Sequence, residues 1–118
     1  MLIKDNHIEA FMGIQQAVDH IRRHVSHLVK IEIETADLAE VRQALDAGAD
    51  VIMLDNMDLA TIRAAVELID HQAMVEVSGR VSKGDFQALA DAGVDIVSVG
   101  ALIHGAVFVD ISMRIVAA

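Results

Sequence analysis

Lys4, Glu34, Asp55, Ser78-Gly79 and Gly100-Ala101 are the residues whose types could do chemistry together. Lys4 is a cation able to meet a phosphate. Glu34 and Asp55 are carboxylates suited to a hydrated Mg²⁺, to sugar hydroxyls, or to a developing positive charge. Ser78-Gly79 and Gly100-Ala101 are small, so backbone N–H groups there can approach a phosphate, and a following helix N-terminus would add its dipole. Each residue also has an ordinary structural use. Lys4 beside Asp5 suits a solvated strand end, Glu34 and Asp55 suit helix caps, and the glycine pairs suit plain βα turns. Their placement on the chain's elements separates the two readings.

Short apolar runs occur at Val51-Ile52-Met53-Leu54 and Ile96-Val97-Ser98-Val99, with mixed versions at Met74-Val75-Glu76-Val77, Ile31-Glu32-Ile33 and Met1-Leu2-Ile3. Such runs suit strands buried on both faces, as in parallel sheets. Strands are predicted at about 1–4, 30–34, 51–54, 74–78 and 95–99, and the alternating tail Ile111-Ser112-Met113-Arg114-Ile115 suits a last short strand. Between them apolar residues step by three and four. Phe11, Ile14, Val18, Ile21 and Val25 form one such series; Leu38, Val41 and Leu45 form another; Leu59, Ile62, Val66 and Ile69 form a third. Asp37 with Glu40, Asp58, and Ser82 with Asp85 suit helix starts, while Gly48 and Gly93 suit helix stops.

A repeat supports the same reading: residues 46–56 are DAGADVIMLDN and residues 91–101 are DAGVDIVSVGA. Each is a helix end, a glycine stop, a turn and a buried strand. The class is therefore α/β, a single domain over 1–118 built as a partial (half) parallel βα barrel of about five βα units. A complete eight-stranded barrel needs about 250 residues. In parallel architecture all C-terminal strand ends face one rim, where ligands bind. Lys4-Asp5-Asn6-His7, Glu34, Asp55-Asn56, Ser78-Gly79 and Gly100 all follow or end strands, so they converge there. That convergence favours a sugar-phosphate site over five unrelated turns. A small open sheet of flavodoxin type is the competing architecture.

Composition excludes several classes. The 118 residues are 54% hydrophobic, which is incompatible with a disordered chain. No apolar stretch reaches the roughly 18 residues of a membrane span, and no secretory signal is visible. There is no cysteine, hence no disulfide framework or thiolate chemistry. Nine Lys and Arg against eighteen Asp and Glu give a net charge of -9, which opposes nucleic-acid binding. A cytoplasmic protein is expected. On a helix His20, His24 and His27 would share one face and could bind zinc, but a solvated face beside Arg22 and Arg23, or the helix's frayed end, is the preferred reading, and no metal site is assigned.

The same residues carry a family resemblance. I-K-D-N-H (3–7), I-E-I-E (31–34), A-G-A-D-V-I-M-L-D-N (47–56), E-V-S-G (76–79), G-V-D-I-V-S-V-G-A-L (93–102) and D-I-S-M-R (110–114) resemble, in order, the C-terminal barrel portion of quinolinate phosphoribosyltransferase. The resemblance implies transfer of phosphoribosyl from phosphoribosyl pyrophosphate to quinolinate, with Mg²⁺ and decarboxylation, giving nicotinate mononucleotide in NAD biosynthesis. It implies catalytic roles for Lys4, Glu34 and Asp55. It implies substrate binding by these three with His7, Asn56, Ser78, Gly79, Arg80, Val99, Gly100 and Ala101. Arg80 stands where many members carry a second glycine, and Ile103-His104-Gly105 departs from the family's usual T-H-S. Members also carry an N-terminal domain and further strands with the Arg, His and Lys residues that meet quinolinate. The expectation is that this chain alone is inactive and self-associates as a homodimer or larger species. A non-catalytic sugar-phosphate-binding module and a purely structural half-barrel are the alternatives.

Overall fold

The computed structural model describes residues 1–100. Ala101 and the alternation at 111–115 lie outside the described residues. The elements run β1 (Leu2–Ile3), α1 (Asp5–Ala10), α2 (Ile14–His24), β2 (Glu32–Thr35), α3 (Leu38–Asp46), β3 (Val51–Asp55), α4 (Leu59–Ile69), β4 (Met74–Ser78), a 3-10 turn (Lys83–Asp85), α5 (Phe86–Asp91) and β5 (Ile96–Val97). All five strands are parallel and lie in the order β1-β2-β3-β4-β5. Every strand is therefore added beside the one before it, the order of an open βα-barrel sector. A flavodoxin-type sheet would place the first strand between the second and third, so that alternative is excluded.

Local signals explain most boundaries. The Asp37 carboxylate accepts from the Glu40 N–H at 2.9 Å, and Glu40 reaches back to the Ala36 N–H at 2.7 Å. Asp58 accepts from the Thr61 N–H at 2.8 Å, which starts α4. Asp85 accepts from both the N–H and the hydroxyl of Ser82, at 2.9 and 2.7 Å, and fixes the single 3-10 turn ahead of α5. Gly48 and Gly93 end α3 and α5 with φ of +75° and +87°, a conformation that costs a glycine little.

Three expectations are corrected. The series from Phe11 to Val25 is two helices, because Met12 (φ +61°) and Gly13 (φ +146°) break the ladder between them. α2 ends at His24, so His27 does not share the helical face of His20 and His24, whose rings stack at 4.3 Å. β2 starts at Glu32 rather than 30, because the Ile31 N–H is taken by the Asp50 carboxylate at 2.7 Å instead of a strand partner. β1 and β5 are also shorter than their apolar runs, with two residues each.

The sheet has one apolar face and one mixed face. Ile33 lies opposite Ile52, which lies opposite Val75; Leu54 lies opposite Val77. These side chains, with Ile3, pack against Val18 of α2, Val41 of α3, Ile62 and Ile69 of α4 and Leu89 of α5. Each fully buried Ile or Leu contributes about 1.5–3 kcal/mol. Strand alternation sends Lys4, Glu32, Glu34, Val51, Met53, Asp55, Glu76 and Ser78 to the other face. The repeated Asp50 and Asp95 act at the opposite rim from Asp55. Each precedes a strand and accepts an N–H at the start of the neighbouring one: Ile31, just before β2, at 2.7 Å and Val75, the second residue of β4, at 2.8 Å.

Candidate active site

At the C-terminal rim the first two strands are joined by an ion pair. Lys4 Nζ lies 3.0 Å from Glu34 Oε2, with the lysine half exposed and the glutamate more enclosed. The hydrogen bond to Glu34 and its charge hold the Lys4 ammonium above its ordinary value, with smaller help from Asp55 and Asp5. Lys4 is therefore a fixed cation at neutral pH. Its own N–H donates to His7 Nδ1 at 3.1 Å, so the His7 ring is engaged in starting α1. A cavity of about 330 Å³ opens beside this pair and is lined by Asp5, Glu9, Glu34, Glu40 and Asp55 among others.

The third and fourth strands are joined just as closely. Asp55 lies opposite Ser78 in register, and the Asn56 N–H donates to the Ser78 carbonyl at 3.1 Å. Asn56 turns into the left-handed region (φ +52°), which Asn tolerates better than most residues. Its side-chain amide then donates to Asp55 Oδ2 at 2.7 Å. Gly79 follows at φ +116°, and a Cβ there would sit 2.5 Å from Asn56 Oδ1. A second cavity of about 340 Å³ runs from Asn56 and Ser78 past Arg80 to Val81, Asp85 and Leu89.

The fifth strand arrives at the same end. The Ser98 N–H donates to the Val77 carbonyl at 2.9 Å, and the Ser98 hydroxyl donates to Glu76 Oε1. Val99 and Gly100 lie immediately beyond. Lys4, Glu34, Asp55, Asn56, Ser78, Gly79 and Gly100 thus sit on one rim, because parallel strands in sequential order must end side by side. Arg80 is exposed on the loop after Gly79. Ala101 lies outside the described residues.

Two further carboxylates share this face, and neither was singled out from the sequence. Glu76 is 9% exposed, on the strand that ends at Ser78. Among the described residues no donor reaches the buried Oε1 of Glu32. Burial pushes the Glu32 carboxyl up, and the neighbouring Glu76 charge pushes it further. The signal was the charged residue inside otherwise apolar strands, I-E-I-E and M-V-E-V-S. What it meant depended on which face each glutamate took.

The chain and its sheet have known counterparts. The model of the family "Quinolinate phosphoribosyl transferase, C-terminal domain" matches residues 1–114. A probable nicotinate-nucleotide pyrophosphorylase [carboxylating] of Methanocaldococcus jannaschii is 40% identical over 98% of this chain and 43% of its own length. One from Synechocystis is also 40% identical, over 98% of this chain and 40% of its own length. The crystal structure of NadC from Streptococcus pyogenes superposes with a TM-score of 0.82 at 35% identity, covering 89% of this chain and 37% of that one. The chain thus spans well under half the length of each. With a parallel sheet in barrel order and a family match along nearly its whole length, this chain belongs to the quinolinate phosphoribosyl transferase family, in its C-terminal domain.

Proposed function

We propose that this chain is the phosphoribosyl-binding part of a carboxylating nicotinate-nucleotide pyrophosphorylase. The observation that carries the reading is the meeting of the Lys4–Glu34 pair, Asp55 and the Ser78-Gly79 turn on one rim. In this reading phosphoribosyl pyrophosphate lies across the rim. Backbone donors at Ser78-Gly79 and Val99-Gly100-Ala101 hold its 5-phosphate, with Arg80 beside them. Lys4 meets the pyrophosphate, and Glu34 and Asp55 face the ribose hydroxyls, with His7 and Asn56 at the same rim.

The chemistry follows from those charges. The pyridine nitrogen of quinolinate bonds to the anomeric carbon as the bond from that carbon to pyrophosphate breaks. Positive charge builds on the sugar, and the Glu34 and Asp55 carboxylates stabilise it electrostatically. The ring nitrogen is then quaternary, and it draws in the electron pair left when CO₂ departs from the adjacent carbon. A proton from water takes that pair, and nicotinate mononucleotide remains.

Mg²⁺ fits the donors present. The cavity beside Lys4 is lined by hard carboxylate oxygens, the ligands Mg²⁺ prefers. Among the described residues no three His, Cys, Asp or Glu side chains are grouped to chelate a bare ion. Glu34 or Asp55 would hold a hydrated Mg²⁺ carried with the pyrophosphate. When bound, it would neutralise charge on the leaving group.

Charge counting limits what the chain does alone. Quinolinate brings two carboxylates and its co-substrate several phosphate charges. The rim supplies Lys4, Arg80 and Lys83 beside Glu34 and Asp55. The quinolinate half of the site therefore comes from outside these residues, and the isolated chain binds the sugar donor weakly and turns over little. The reading includes a cytoplasmic location and a homodimer or larger assembly. Among the described residues β1 pairs only with β2, so its outer edge carries backbone groups that a further strand can cover. No helix among the described residues is long and apolar enough to cross a membrane.

Calorimetry of the purified chain with phosphoribosyl pyrophosphate and Mg²⁺ tests the reading, with light scattering for the assembly. Weak saturable binding without nicotinate mononucleotide formation is expected. Absence of binding removes the site, and turnover near that of a complete enzyme removes the charge argument.

A further inference from the structure

Resting on the phosphoribosyl reading, we infer that Asn56 is a positioning residue: it aims the Asp55 carboxylate and locks it to the Ser78-Gly79 turn. Three contacts meet in this one side chain and its backbone. The side-chain amide donates to Asp55 Oδ2 at 2.7 Å, which fixes the carboxylate's rotation and leaves its second oxygen for a ligand. The backbone N–H donates to the Ser78 carbonyl at 3.1 Å, which ties the end of β3 to the end of β4. The side-chain oxygen occupies the space a Cβ of residue 79 would need, 2.5 Å away.

This changes the meaning of Gly79. A glycine at a rim turn invites the explanation that a phosphate must come close. Here the space beside its Cα is already filled by Asn56, and its φ of +116° serves the turn. The glycine exists for Asn56 at least as much as for an anion. Asn56 itself needs the left-handed conformation (φ +52°) to reach Asp55 and Gly79 together, and Asn is among the few non-glycine residues that adopt it readily. Asp55 and the turn therefore move as one unit. A hydroxyl or cation bound by Asp55 is held at a set distance from the backbone donors after Ser78, which is the pre-organisation a sugar phosphate requires.

Two measurements test this on the chain itself. In the first, NMR compares the Asn56 side-chain NH₂ resonances of the parent chain with those of Asp55→Ala. The carboxylate acceptor should move one amide proton downfield and slow its exchange with water, and both effects should vanish in Asp55→Ala. Identical Asn56 side-chain resonances in the two chains overturn the inference, whether or not any ligand binds. In the second, phosphoribosyl pyrophosphate with Mg²⁺ is titrated into the parent chain, Asn56→Gly, Asp55→Ala and the double variant. Asn56→Gly keeps the left-handed turn accessible, and Asn56→Asp provides a second variant that keeps the shape without the amide donor. Each single change should weaken binding about tenfold, and the double variant should lose no more than Asp55→Ala alone. Additive losses mean that Asn56 acts independently of Asp55, and the inference is then wrong. No binding to the parent chain removes the phosphoribosyl reading instead, and the NMR result still decides the role of Asn56.

Discussion

Lys4 Nζ and Glu34 Oε2 are 3.0 Å apart, on the ends of neighbouring parallel strands thirty positions apart in sequence. The pair is open to solvent on the lysine side, so it adds little to folding. Its value is that it holds a cation in place. Lys4→Met should leave the melting temperature nearly unchanged while weakening phosphoribosyl pyrophosphate about tenfold, the scale of one lost charge-assisted contact. Thermal melts and calorimetry on the same preparation check both halves. Glu34→Gln should also lower the pH at which Lys4 releases its proton, because the acceptor charge that holds the ammonium is gone.

Gly79→Ala should be costly. The added Cβ would lie 2.5 Å from Asn56 Oδ1 and 3.1 Å from the Asn56 backbone nitrogen, and φ is +116°. The conformation alone costs roughly 1–3 kcal/mol for a residue with a side chain. Asn56→Gly in the same chain should recover the side-chain part of the clash and leave the backbone contact and the conformational part. Urea unfolding of the two single variants and the double variant measures this, and equal losses for Gly79→Ala in both backgrounds would speak against the contact.

Asp50 sets an acid limit on stability. Burial pushes its carboxyl up, but the Ile31 N–H and the Arg22 guanidinium together outweigh burial and hold it below its ordinary value of 3.8. Arg22 Nη2 lies 2.7 Å from the carboxylate. A depressed native value means that the contribution is complete above the unfolded-state value and drains away as pH falls through the native one. Stability should therefore decline below about pH 4 as the unfolded chain binds the proton first. Asp50→Ala should cost roughly 1–3 kcal/mol at neutral pH, since the Ile31 N–H loses its partner, and should flatten that decline. Chemical unfolding at several pH values reads both effects.

Glu32 works in the opposite direction. Burial and the Glu76 charge raise its carboxyl above the ordinary 4.5. With the native value raised, the folded chain keeps its proton while the unfolded chain has already lost it. Stability is then greatest below the unfolded value and falls as pH rises through the native one. Glu32→Gln should stabilise the chain at pH 7 by roughly 1 kcal/mol, by placing an amide donor beside Glu76. Melts run at pH 4 should show a much smaller gain; a constant gain across that range would mean that the raised Glu32 carboxyl is not the cause.

The caps at Asp37, Asp58 and Ser82 with Asp85 were legible because each involves residues three apart, within one turn. The stops at Gly48 and Gly93 were legible for the same reason. The break at Met12-Gly13 was not, because Phe11 and Ile14 keep helical spacing across it by coincidence of position. Gly13 inside the series was the available warning. Val51 to Leu54 read as a strand because four apolar residues in a row bounded by turn signals suit a strand enclosed on both faces. The rim residues were legible as a group, since parallel βα order alone places strand ends together.

The chain's pattern of short apolar runs and helical spacings determined by itself that this is a parallel βα array with its polar residues gathered at one rim. Those periods are local, and a strand or helix expresses them wherever it packs. Tertiary structure alone decided how the rim is wired: that Lys4 meets Glu34, that Asn56 reaches both Asp55 and Gly79, and that Glu32 lies against Glu76. These contacts join residues on different strands, or depend on a neighbouring strand for their space. Strand register and side-chain rotamer set them, and register is fixed only when the buried apolar face of all five strands closes against the helices.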